Sequence, residues 1–500
     1  MRKLTGFLIL SLLIFSCSKS GKPTAKSPTM RPSGSDLAIE WGVITNDYGN
    51  GGTFLAELAI INNSEHNLAT SGWTMYFNYN ACRAITYDSL PEFIEIKHIN
   101  GDFYKMTPTN KFIGLNKGET LKIPIIGSAW AIKNTDIPGG FYFVFDDAGK
   151  TSKPEPSIFK LSPAYTTAKQ INKTKSDNNV IPTATTRFDA NKGLSLLPND
   201  QVQRIIPTPV VYKKTQGQLI VNTSFAIRYQ EGLKSEANYL ANSLKQNLGS
   251  KPSISADQAK TLNSINLLVG KVTVNGEVKK SGAEAYNLDI TKENITITGS
   301  DNAGVFYGLQ SLRALFPVAT YGVSQKNISL GLVHVEDAPG FEYRGMHLDV
   351  ARNFQKKESV LKLLDMMAFY KLNKFHFHII DDEGWRLEIE ALPELTQIGS
   401  KRGHTLDESD KLIPSYGSGA IADASISAGT GYFTRAEFIE ILKYANERHI
   451  EVIPELDMPG HARAAIKSMN VRYNRFMEKG EEAKAKQYML ADLNLSLIHI

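Results

Sequence analysis

Three stretches near the C-terminus constrain the fold more than anything else in the chain. Residues 343–350, 374–380 and 449–457 each read as a buried strand, apolar along its length and polar at its C-terminal end. Those ends deliver Asp349 and Arg352, then Asp381 and Asp382, then Glu455, Asp457 and His461. Helical patterns lie between them, and strands alternating with helices imply a parallel sheet whose functional groups gather at the carboxyl ends of the strands. The expectation is a partial (β/α)8 barrel over 341–500, its first three βα units, because a complete barrel takes eight such units.

The rest of the chain is too long to belong to the same core. Five hundred residues imply about three domains. From 37 to 162 strand patterns separated by Asn, Gly and Ser turns predict a β-sandwich, expected to bind carbohydrate through its aromatic residues or simply to bury them. Within it Trp73, Met75, Phe77 and Tyr79 alternate with Thr74, Tyr76, Asn78 and Asn80, the period of a half-buried strand. Residues 163–200 have little apolar periodicity and read as a linker, with Ile181 and Phe188 as anchors. Residues 201–340 mix strands with helices at 233–248 and 302–316, an α+β domain without a cluster of titratable groups.

In the third region a helix from 358 to 371 carries Val360, Leu363, Leu364 and Met367 on one face, and a second has Thr434 and Glu437 spaced as a capping box ahead of Phe438, Ile441, Leu442 and Ala445. A Gly/Ser/Ala-rich loop, 414–431, is long enough to form a substrate wall or lid over the strand ends.

The N-terminus reads as an export signal. Met1-Arg2-Lys3 precedes an apolar run from Leu4 to Phe15, too short to cross a bilayer. Ile14-Phe15-Ser16-Cys17 resembles a bacterial lipobox, which implies lipid attachment at Cys17, a tether over 18–36, and an exported protein anchored in the outer membrane or held in the periplasm. Of the two cysteines only Cys82 is left beside Cys17, so no internal disulfide and no cysteine metal site is expected. The formal charge of +5 is small for 500 residues and its cations are scattered, which argues against a nucleic-acid partner.

At the strand ends, adjacent Asp381 and Asp382 point to opposite sides of an extended chain, so one faces the pocket and the other supports a loop. His461, after a Pro-Gly turn, falls where it can meet Asp381, and such a hydrogen bond would orient the imidazole beside a general acid. Arg352 offers a planar fork for vicinal hydroxyls or a partner for Asp349. Trp385 reads as a sugar-stacking ring or a buried rim tryptophan. His376 and His378 share one strand face, a spacing that suits metal ligands as well as packing; two ligands are too few to call for a metal, and no cofactor is expected.

Arg344-Gly345 with 348–352, the run 371–378 continuing into Asp381-Asp382-Glu383-Gly384-Trp385-Arg386, and the run 452–461 together resemble the family-20 glycoside hydrolases, the β-N-acetylhexosaminidases. The resemblance implies removal of terminal β-linked N-acetylhexosamine from glycans or chitooligosaccharides, with retention. The substrate's own acetamido oxygen attacks the anomeric carbon while an enzyme glutamate protonates the leaving oxygen, an exception to the two-carboxylate scheme. It implies further that Arg352 binds sugar hydroxyls, that Asp381 and His461 form a relay beside the acid, and that Glu455 and Asp457 belong to the supporting polar network. The family's Asp-Glu pair in a Gly-Gly-Asp-Glu context does not occur in this sequence, and Asp382-Glu383 belongs to a different motif. The expectation is therefore a truncated, inactive member. The alternatives are a non-catalytic surface glycan-binding protein and a metal-dependent amidohydrolase or deacetylase.

Overall fold

The computed structural model describes residues 30–488 apart from 50, 81–83, 148, 162–164, 182, 199–200, 258–261 and 281. Cys17, Cys82, the leader and most of the tether lie outside the described residues. Among the described residues no helix is long and apolar enough to cross a membrane.

The chain forms three regions in sequence order. The first is a sandwich of two sheets, one with Leu37–Tyr48 paired between Phe159–Leu161 and Thr53–Asn62, the other centred on Trp73–Asn78 and Gly139–Asp147. Apolar residues at alternate positions make the core, with Trp41, Phe54, Met75, Phe77 and Phe143 buried between the sheets. Two boundaries move relative to the sequence reading. Arg31 is ion-paired with Asp147 and Glu155, and Gly34 is buried, so the tether ends before these residues. Gln170 and Ile171, in the supposed linker, are buried on the sandwich, where the Gln170 amide donates to Val43 O at 2.8 Å. Residues 187–198 are exposed, among them Phe188, 72% exposed, which anchors nothing, whereas Ile181 is half-buried.

The second region is a seven-stranded sheet covered by helices Lys234–Leu248 and Asn302–Leu315. Asp301 caps the second helix by accepting from the Gly304 N–H, and Pro317 follows its end. The sheet includes Asn327–Asp337, which buries Ile328, Leu330 and Leu332 at alternate positions between Asn327, Ser329 and Gly331.

In the third region Gly345–Asp349, Lys374–His378 and Glu451–Glu455 lie parallel, the second strand between the other two. Register aligns Asp349 with His378 and His378 with Glu455, so three ionisable side chains line up at one edge. Val360, Leu364 and Met367 of helix Lys357–Phe369 and Ile441 and Ala445 of Arg435–Asn446 are buried in a core continuous with the second region, while Leu442, 38% exposed, lies off the buried face.

Candidate active site

The turn after the first strand is fixed by Asp349, whose Oδ1 accepts from the Ala351 and Arg352 N–H groups at 2.9 and 3.0 Å. That turn aims Arg352 across the strand ends. Its Nη1 lies 2.9 Å from Asp349 Oδ2, its Nη2 2.6 Å from Asp381 Oδ2, and its Nε 3.1 Å from Glu383 Oε2. The fork, for which sequence offered vicinal hydroxyls or Asp349, meets Asp349 and two further carboxylates, with the side chain 22% exposed.

Asp381 is fully buried at the centre. Oδ1 accepts from the Asp382 N–H at 2.6 Å and faces His461 Nδ1 at 3.1 Å, while Oδ2 faces His378 Nε2 at 2.8 Å. Burial alone would raise its pKa, but the His378 hydrogen bond and the Arg352 charge outweigh it and hold the carboxyl below its ordinary value. The neighbouring Asp382 points the other way, accepting from the Arg463 N–H at 2.9 Å at the start of helix Arg463–Glu478. Arg352, Asp381 and His461 therefore meet at one point, with Arg352 Nη2 and His461 Nδ1 3.4 Å apart.

His378 continues the network. Its Nδ1 lies 2.8 Å from Glu455 Oε2, which His376 Nε2 also approaches, at 2.6 Å. Burial opposes a charge on His378, yet hydrogen bonds to Asp381 and Glu455 prevail and push its pKa up to about 9. At neutral pH it is an imidazolium between two carboxylates. Its 3.0 Å approach to Arg352 Nη1 is then a contact between like charges, tolerated because Asp349, Asp381, Glu383 and Glu455 surround the pair. Glu383, by contrast, is pushed upward by burial and by the charge of Asp381.

Asp457 stands beside this network, close to Glu455 and His378 and to Asp381 and His461. Trp385 is half-buried, packed against the core with Nε1 donating to Leu387 O at 2.5 Å. His347, His376 and Glu455 form one trio whose ligand atoms lie within 4.8 Å of one another; His378 with Glu455 and Asp457, and Asp381 with Asp457 and His461, form two more. In the last two a cation would face the fixed Arg352 guanidinium, an unfavourable neighbour.

Sequence reasoning missed the arginines beneath the site. Arg386, fully buried, donates to the carbonyls of Val350, Ala351, Ser400, Gly429 and Gly431. A Cβ at Gly384 would fall 2.5 Å from its guanidinium carbon, so glycine there lets the arginine fold back. Arg402 donates to the carbonyls of Arg352 and Glu383 at 2.6 and 3.2 Å. Neither residue has a local signal; the Gly384-Trp385-Arg386 run offers the only hint.

Residues 341–497 match the description "Glycosyl hydrolase family 20, catalytic domain", and 202–338 match "Glycosyl hydrolase family 20, domain 2". Residues 42–185 match a carbohydrate binding domain. The N,N'-diacetylchitobiase of Vibrio harveyi is 36% identical over 484 residues, 91% of this chain and 50% of its own length. A β-hexosaminidase of Vibrio vulnificus is 38% identical over 433 residues, 82% of this chain and 47% of its own. The chain thus spans about half the length of the curated relatives it matches. The crystal structure of a family-20 exo-β-N-acetylglucosaminidase from Vibrio harveyi in complex with N-acetylglucosamine shares the fold with a TM-score of 0.68 at 24% identity, over 87% of this chain and 59% of that one.

Proposed function

This chain belongs to glycosyl hydrolase family 20, and from that premise we propose that its strand-end cluster recognises the terminal β-linked N-acetylhexosamine of glycans or chitooligosaccharides, as part of a β-N-acetylhexosaminidase. The observation that carries the reading is the convergence of Arg352, Asp381 and His461, three groups from three consecutive strand ends, on one point. We read the three parallel strands as the first arc of a (β/α)8 barrel, whose carboxyl edge is where such folds assemble their sites.

In substrate-assisted retaining hydrolysis the acetamido oxygen forms the new bond at the anomeric carbon as an acid protonates the leaving oxygen. The part of this chain is to hold the sugar and to set the charge beside that acid. Asp381 holds His461 through Nδ1, and Glu455 meets His378 on the other side with Asp457 beside it. Calorimetric titration with N-acetylglucosamine should show binding that Arg352→Ala abolishes. Absence of binding by the unsubstituted chain would overturn the reading.

Export with lipid attachment at Cys17, to the outer membrane or periplasm, is proposed on the leader sequence. Labelled fatty acid should enter the protein in a bacterial host and be lost in Cys17→Ser; equal labelling of both would exclude it.

A further inference from the structure

Strand Trp73–Asn78 has a period-2 sequence and yet buries both faces. Trp73, Met75 and Phe77 enter the sandwich core, as alternation requires. The opposite face carries Tyr76, which joins Phe103, Tyr142 and Val144 in a second apolar cluster completed by Ile413 and Ala420 from the long loop at the catalytic strand ends. Tyr142 Oη meets His404 Nδ1 of the same loop at 2.9 Å.

Polar contacts then fix the loop residue by residue. Asn78 Nδ2 donates to Pro414 O at 2.9 Å, and its Oδ1 accepts from the Gly417 N–H at 3.1 Å. Asp102 accepts from Ser415 Oγ and from the Tyr416 N–H, each at 2.8 Å. Gly140 and Gly417 touch so closely that a Cβ on Gly140 would lie 2.9 Å from Gly417 Cα. Between these clamps Tyr416 has φ of 51°, a left-handed conformation that a tyrosine keeps only when its surroundings impose it. Tyr416 is 54% exposed, and the charges of Glu383, Arg352 and Asp381 reach its phenol. Arg402, donating to the carbonyls of Arg352 and Glu383, ties the base of the loop to the same site.

From these contacts we infer that the sandwich supplies a wall of the sugar site: Asn78 and Asp102 are positioning residues that hold 414–417 so that Tyr416 faces a ligand bound beside Arg352 and Glu383. The inference rests on the sugar-site reading above and adds to it that the N-terminal domain acts on the pocket, whatever glycan it binds itself.

The test uses the 500-residue chain, N-acetylglucosamine as probe, and two readouts. Amide exchange across 412–420 should accelerate at least tenfold in Asp102→Ala and in Asn78→Ala, with sandwich peptides remote from the loop unchanged. Sugar affinity should fall about tenfold in Asp102→Ala and in Tyr416→Ala, and the double variant should be no weaker than Tyr416→Ala alone, because one residue acts through the other. Additive losses, or a loosened loop with unchanged affinity, would overturn the inference. So would Arg352→Ala losing the sugar while Asp102→Ala and Tyr416→Ala keep it, a result that leaves the sugar site standing. No binding by the unsubstituted chain removes the site itself and this inference with it. Should Asp102→Ala fail to fold, Asn78→Ala carries the same comparison.

Discussion

Asp381→Asn separates the charge of the central carboxylate from its shape. The native group accepts from Asp382 N–H and His461 on one oxygen and from His378 and Arg352 on the other. An amide has one oxygen. With that oxygen kept on Asp382 and His461, its NH2 faces two donors; flipped, it faces the Asp382 N–H instead. Arg352 still has Asp349 and Glu383, but His378 loses one of the two partners that push its pKa up to about 9. It can answer by releasing its Nε2 proton and accepting from the amide, keeping Nδ1–H on Glu455. The parent's pKa of about 9 stands two units above pH 7, so the stabilisation that goes with that proton is at most about 3 kcal/mol. The lost Arg352 contact adds roughly 1.5–3 kcal/mol and the new amide bond returns about 1. Solvent at the open side of Arg352 screens these charges, so the net destabilisation of this region is about 2–3 kcal/mol. Long-range imidazole NMR across pH 5 to 10 should show His378 titrating near 9 in the parent and at or below neutrality in the variant. The folded pKa lies above the ordinary 6.5, so the stabilisation is complete below pH 6.5 and is lost as pH rises through about 9. Opening free energies from amide exchange over 374–382 should therefore fall between pH 6.5 and 9 in the parent and stay flatter in Asp381→Asn. A parent His378 titrating near 6.5, or a titration indifferent to the substitution, would refute the network.

Arg386→Met removes a buried donor from five carbonyls at once, and with charged hydrogen bonds contributing about 1.5–3 kcal/mol each the loss is on the order of 5 kcal/mol or more, enough to unfold the third region; rapid proteolysis within 341–488 checks this. Thr434→Ala deletes the cap that accepts from the Glu437 N–H and should cost about 1 kcal/mol, read as faster amide exchange in the first turn of Arg435–Asn446.

The architecture was legible where short-range pattern and packing agree. Strands form within 343–350, 374–380 and 449–457, and register aligns Asp349, His378 and Glu455 at their ends. Of the three only Lys374–His378, the central strand, has buried residues, while Gly345–Asp349 and Glu451–Glu455 at its two sides are exposed or half-buried rather than buried as their apolar runs suggest. The opposite orientations of Asp381 and Asp382 also follow from strand geometry alone. What sequence could not supply is the identity of partners distant along the chain. The pairing of Arg352 with Asp349, three residues away, was readable as one of its two options, whereas its ties to Asp381 and Glu383 come from the next strand end, the latter 31 residues on. The helix Ala168–Ile171 looked like linker because its apolar content is one turn, too short for a period, and Gln170 is held by a backbone carbonyl 127 residues away. Asn78 is the extreme case. On a strand read as half-buried, its alternation assigns it to solvent, whereas a loop 336 residues downstream covers it and takes both ends of its amide. An alternating strand whose outward face carries Tyr76 beside Asn78 is thus more than an exposed sheet surface. It has one apolar ring to attract a neighbour and one two-ended polar group to fix that neighbour's register, and a domain boundary should be sought there before a binding face.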